Sequence, residues 1–141
     1  MKILFDTNIV LDVLLNRKPF VELSANLIGL AEQRIIHGYI CATTIATIDY
    51  LISKSHNRKV AKQQIEKLFS IFKISAIDGD VLQQALTMKM SDYEDAVQCQ
   101  SGVASLVDGL VTRNTKDYKG APIAVYTPEE LCAILTQLRK N

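Results

Sequence analysis

Apolar residues fall along this chain in two rhythms. Short, mostly apolar runs occupy residues 2–5, 38–41, 72–77, 109–111 and 123–126. Runs of that length between polar residues predict buried strands. Between them the apolar positions recur at three and four. Residues 9–15 show this helical spacing, and a second helix is predicted from about residue 20 to 33. There Leu23, Leu27, Leu30 and Ala31 share one face.

Capping residues place the later helices. Thr43 or Thr44 is predicted to cap a helix ending near residue 53, and Asn57 to cap one carrying Val60, Ile65, Leu68 and Phe69. Asp78 would cap the next, through Met88. "SDYE" has the S-x-x-E form of a capping box, with Ser91 at the cap and Glu94 at the third helical position. "TPEE" opens the last helix with Thr127 as cap, Pro128 in the first turn and Glu130 reaching back. Strands alternating with helices predict an α/β domain with a mainly parallel sheet. Ligand sites in such sheets lie beyond the carboxyl ends of the strands. Asp6 and Asn8 stand where the first strand ends.

Size and composition narrow the setting. The 141 residues fit a single domain spanning 1–141, and 48% hydrophobic with 22% charged residues is ordinary for a globular chain. No apolar stretch approaches the roughly 20 residues of a membrane span, and no signal-peptide layout opens the chain, so a cytoplasmic location is expected. Cys41, Cys99 and Cys132 are odd in number and widely spaced in apolar surroundings. They are expected as core residues in a reducing compartment. His37 and His56 stand apart from each other and from any cysteine pair, which argues against a His/Cys metal site. Net charge is only +1, but Lys54, Arg58, Lys59, Lys62 and Lys67 face a single acid, Glu66, in one stretch. That stretch is either a solvated helical face or a path for phosphates.

Missing motifs argue against several chemistries. The six glycines never approach G-x-G-x-x-G spacing, so a dinucleotide fold and a P-loop fail. A haloacid-dehalogenase-like phosphatase reads D-x-D after its first strand, where this chain has D-T-N. A Ser-His-Asp hydrolase lacks its G-x-S-x-G elbow. What remains is a set of oxygen donors: Asp6, then Asp92, Glu94 and Asp95, then Asn114 and Asp117. Such donors at one sheet edge suit a hard cation, Mg²⁺ or Mn²⁺, and point to metal-assisted phosphodiester hydrolysis. Each has a plainer role open to it. Glu94 fits the capping box, Asp92 the helix dipole, Asp117 a turn, and Asn114 a left-handed backbone. Asp12 is either a polar-face residue or a support behind the ligands.

Three segments carry a resemblance. "ILFDTNIVLDVLL", "DYEDAVQ" and "GLVTRNTKDY", in that order over almost the whole chain, resemble PIN-domain proteins, a family that includes the VapC-type toxin ribonucleases. The resemblance implies a three-layer α/β/α domain whose five-stranded parallel sheet has the order 3-2-1-4-5. It implies RNA cleavage with Mg²⁺ or Mn²⁺ held by three or four acids, with an antitoxin partner and a homodimer. By it Asp6 is the first acid with Asn8 as its support, Asp95 opens the late helix, and Asn114 and Asp117 end the site with Thr112 supporting them. Asp6, Asp95 and Asp117 would be catalytic and hold the metal. Lys54, Arg58, Lys59 and Lys62 would place the RNA backbone, and Arg113 and Lys116 would meet phosphates near the metal.

One departure stands out. PIN nucleases usually carry a glutamate on the helix after the second strand, where this chain has Thr47. Asp49 follows two residues later and points roughly 200° away on a helix, so it cannot take that place. Asp92, as a further metal ligand, and Glu94 are the substitutes. The departure also leaves open a non-catalytic PIN module that binds RNA or a protein partner.

Overall fold

The structure is a computed structural model that describes residues 1–140. In chain order it contains β1 (Lys2–Phe5), α1 (Thr7–Leu14), α2 (Val21–Glu32), β2 (His37–Cys41), α3 (Ala42–Ser55) and α4 (Arg58–Ile71). β3 (Lys73–Ser75), α5 (Gly79–Leu86), α6 (Tyr93–Ala104), β4 (Gly109–Val111), a 3₁₀ turn (Thr115–Tyr118), β5 (Ala124–Tyr126) and α7 (Pro128–Lys140) complete it. The strands form one sheet in the order β3-β2-β1-β4-β5, and all four pairings are parallel.

Parallel neighbours need crossovers, and the crossover helices bury both sheet faces. β1 shows the consequence in its alternation. Ile3 and Phe5 face a core with Leu27, Ile48, Leu68 and Leu131 from α2, α3, α4 and α7. Leu4 faces the opposite side, against Cys99, Leu110 and Tyr118. Past Lys2 the strand is buried on both faces, with Ile3, Leu4 and Phe5 fully enclosed, which is why its apolar run breaks only at Asp6. The three-layer α/β/α arrangement follows.

Asn57 Oδ1 accepts from the Val60 N–H at 2.8 Å, and Asp78 Oδ1 from the Val81 N–H at 2.9 Å. Thr127 and Glu130 form the reciprocal box at 3.0 Å in each direction. Two caps differ from expectation. α3 starts at Ala42 with no side-chain cap, because Thr44 turns inward and is fully buried. α6 is capped by Asp92 rather than Ser91, with Asp92 Oδ1 accepting from the Asp95 N–H at 2.9 Å. That one-residue shift frees Glu94 from the capping box. Asn114 is not left-handed either, with φ −115.

Gly120 ties the loop after the 3₁₀ turn to the loop before α6. Its φ is +91, and a Cβ built there would lie 2.3 Å from the Lys89 carbonyl oxygen. Gly120→Ala should therefore destabilise the fold by about 2 kcal/mol or more, combining a left-handed penalty with a backbone clash. A shift in urea midpoint measures it, and an unchanged midpoint would contradict the close approach.

Candidate active site

Asp6 sits between β1 and α1, its backbone extended and its N–H donating to the Val111 carbonyl of β4 at 3.0 Å. The side chain is only 8% exposed. Oδ1 accepts from Gln98 Nε2 at 3.0 Å and Oδ2 from the Thr112 hydroxyl at 2.7 Å. A carboxylate oxygen can accept more than one bond, so each keeps capacity for another partner. Gln98 is fixed in turn. Its Oε1 accepts from Thr44 at 3.3 Å and Thr7 at 3.4 Å, hydroxyls themselves 2.8 Å apart, and its amide also donates to the Tyr118 hydroxyl. Burial, reinforced by the charges of Asp6 and Asp95, pushes the Tyr118 phenol well above its ordinary range, so it stays neutral.

Asp6 opens onto a cleft of about 310 Å³. Asn8 and Leu11 line it from α1, Thr43, Thr47 and Leu51 from α3, and Asp92, Glu94 and Asp95 from the start of α6. Asp95 feels this crowding. Its carboxyl is pushed up to about 6 by burial first, then by the charges of Asp92, Asp6, Asp117 and Glu94. The folded chain thus holds this proton more tightly than the unfolded one. The resulting stabilisation is fully present below pH 3.8, the ordinary carboxyl value, and is lost as pH rises through about 6. At neutral pH the ionised group works against the fold.

The donors are carboxylate, amide and hydroxyl oxygens, which suit Mg²⁺ or Mn²⁺ rather than a soft metal. Among the described residues, no three acidic, histidine or cysteine side chains already form a closed coordination group. Mg²⁺ does not require one, since it usually keeps several waters and takes one or two protein carboxylates beside substrate phosphates. The donor set fits such an ion.

The remaining candidates distribute unevenly. Asp117 lies exposed on the 3₁₀ turn, outside the cleft lining, but its charge reaches Asp95. Asn114 contributes its N–H, which donates to the Thr112 hydroxyl at 3.1 Å. Asn8 lines the cleft, but the bonds that fix Asp6 come from Gln98 and Thr112. Asp49 points away from the cleft to Arg58 at 3.1 Å. The basic run is divided: Arg58 and Lys62 line a groove between α3 and α4 with Ile45 and Phe69, while Lys54 donates to the Tyr50 hydroxyl. Lys59 and Lys116 are exposed.

Arg113 is the clearest correction. It was expected at phosphates, yet Nε donates to Asp12 Oδ2 at 2.6 Å and Nη2 to Oδ1 at 3.2 Å, with the guanidinium 3.9 Å from the Phe20 ring centre. Asp12 is fully buried, not a polar-face residue, and Arg17 approaches it at 3.6 Å. Gln98, Thr7, Thr44 and Tyr118 were not anticipated as site residues. Gln98 had a signal, being a polar side chain one turn after Asp95 amid Ala96, Val97 and Cys99.

A model of the PIN domain matches residues 2–116. The chain belongs to the PIN-domain family. PIN domains are generally nucleases. Among solved structures, this PIN domain is similar to a chain of VapBC2 from Rickettsia felis bound to a promoter DNA fragment. That likeness has TM-score 0.70 and 18% identity, over 90% of this chain and 98% of that one. It is similar to a toxin–antitoxin complex from Klebsiella pneumoniae, with TM-score 0.67 and 26% identity over 89% and 96%. A third likeness is to FitAcB from Neisseria gonorrhoeae, with TM-score 0.66 and 23% identity over 90% and 98%. No curated protein matches the chain. Among the described residues no helix is long and apolar enough to cross a membrane.

Proposed function

We propose that this PIN domain is a Mg²⁺- or Mn²⁺-dependent endoribonuclease and the toxin of a toxin–antitoxin pair. One observation carries the reading: Asp6, Asp92, Glu94 and Asp95 line a single cleft at the carboxyl edge of the sheet. Asp6, Asp95 and Asp117 would hold the ion, with Asp92 as a further ligand. When bound, such a cation activates water and offsets charge on a phosphodiester in transit. Gln98 and Thr112 orient the Asp6 carboxylate, while Thr47 leaves that wall of the cleft neutral. Thr7, Thr44 and Tyr118 keep the Gln98 amide facing Asp6. The likeness to structures of toxin–antitoxin complexes supports an antitoxin partner, and a homodimer completes the reading.

The test pairs RNA cleavage with calorimetry of Mn²⁺. Binding should need the ionised Asp95, so affinity should be full above about pH 7 and fall roughly tenfold per pH unit below about 6. Asp95→Asn should bind Mn²⁺ weakly at every pH. A wild-type protein that binds RNA but neither takes up Mn²⁺ nor cleaves would favour a non-catalytic module, the alternative that Thr47 motivates.

A further inference from the structure

Helix α3 has a face that the cleft uses only in part. Thr43, Thr47 and Leu51 line the cleft. At about 100° per residue, positions 50 and 54 fall on the same side, inside roughly 100° of arc. Tyr50 is 60% exposed. The Lys54 ammonium lies 5.4 Å from its ring centre and donates to its hydroxyl at 3.2 Å. With Lys54 held at the hydroxyl end of the ring, that exposure leaves much of the aromatic surface open. Tyr50 and Lys54 lie about 5 and 10 Å of helix rise beyond Thr47. Because Thr47 carries no charge, the wall between them and the carboxylates does not repel a phosphate backbone.

We infer that Tyr50 and Lys54 form a nucleobase subsite for single-stranded RNA, an inference that rests on the ribonuclease reading above. One base stacks on the open Tyr50 surface and Lys54 meets the neighbouring phosphate. Thr43 and Thr47 border the strand on its way to the carboxylates. Stacking of this kind accepts any base, because every base has a π-face. The subsite sets grip and register, not sequence.

The chain contains no tryptophan, so Tyr50→Trp installs a single tryptophan at the subsite, which can be excited selectively over the tyrosines. In an Asp6→Asn background with chelator present, so that the strand is not cut, titration with a short single-stranded oligouridylate should quench its emission. Leu138→Trp near the end of α7, 57% exposed on a helix that packs on α2 and β5 rather than on the cleft-lining elements, should not respond. Tyr50→Ala should weaken oligouridylate binding by roughly 5- to 150-fold, while Tyr50→Phe retains most of it. Lys54→Ala should lower the salt dependence by about one phosphate contact. Unchanged binding by Tyr50→Ala together with an unquenched Tyr50→Trp overturns the subsite and leaves the ribonuclease reading standing. If the parent protein binds no oligouridylate, RNA recognition and the subsite fall together. Blue-shifted Tyr50→Trp emission that grows with protein concentration, without RNA, assigns the face to a second copy and likewise overturns the subsite.

Discussion

Asp6→Asn should lower RNA cleavage by about a thousandfold or more and abolish measurable Mn²⁺ binding, while the protein stays folded. A hard cation loses its charged ligand, and the several kcal/mol it supplies to the transition state go with it. The fold survives because Asn keeps one acceptor. Its oxygen can still receive the Gln98 amide, which now donates to Asp6 at 3.0 Å. Its Nδ2 faces the Thr112 hydroxyl, which must give up donating to position 6 and turn its proton elsewhere while still accepting from the Asn114 N–H. That rearrangement costs about 1 kcal/mol. Asp6→Ala is a poorer probe, since it strands both buried donors. Cleavage rates, calorimetry and a urea melt on one preparation separate the two effects. Full cleavage by a folded Asp6→Asn protein would sink the catalytic assignment.

The largest effect on stability is expected at Arg113. Arg113→Ala leaves the fully buried Asp12 with only the Arg17 contact at 3.6 Å. Stranding a buried charge costs about 3–5 kcal/mol, and the partial exposure of the Arg113 side chain places this one near 3. It also removes the guanidinium from the Phe20 ring, adding roughly 0.5–1 kcal/mol. Arg113→Lys should recover only part of this, because an ammonium cannot make the two-pronged contact. Replacing both partners with leucine should restore much of the loss, since an apolar pair leaves no charge unpaired. Denaturant midpoints of the four proteins decide it. A single Arg113→Ala variant as stable as wild type would show that the pair is not formed in solution.

The strands and the helical layers were readable because burial on both faces leaves a plain mark, short apolar runs broken by helical spacing; the strand order followed only from the resemblance to PIN domains. Asp6 was readable for the same reason, as the first polar residue after such a run. The Asn57, Asp78 and Thr127 caps could be read locally, since each bonds within its own first turn. The Asp92 cap could not be separated from Ser91, because both side chains accept and they are neighbours. Arg113 misled because charge alone does not say which way a side chain turns. Its partner is 101 residues earlier, on a helix whose apolar surroundings made Asp12 look like an exception. Gln98 was hidden similarly: its partners on α1, α3 and the 3₁₀ turn meet only in three dimensions.

Those separations bear on when the site comes into being. Asp6 is made well ahead of its partners, since Gln98 and Thr112 lie 92 and 106 positions later. The strand that seats its backbone, β4, inserts beside β1 only after the whole β2–β3 half has been synthesised. A nascent chain therefore carries its first acid without the groups that aim it until Thr112 has been made. If the finished protein cuts RNA, the ribosome and its messenger are spared until β4 and Thr112 have emerged and docked.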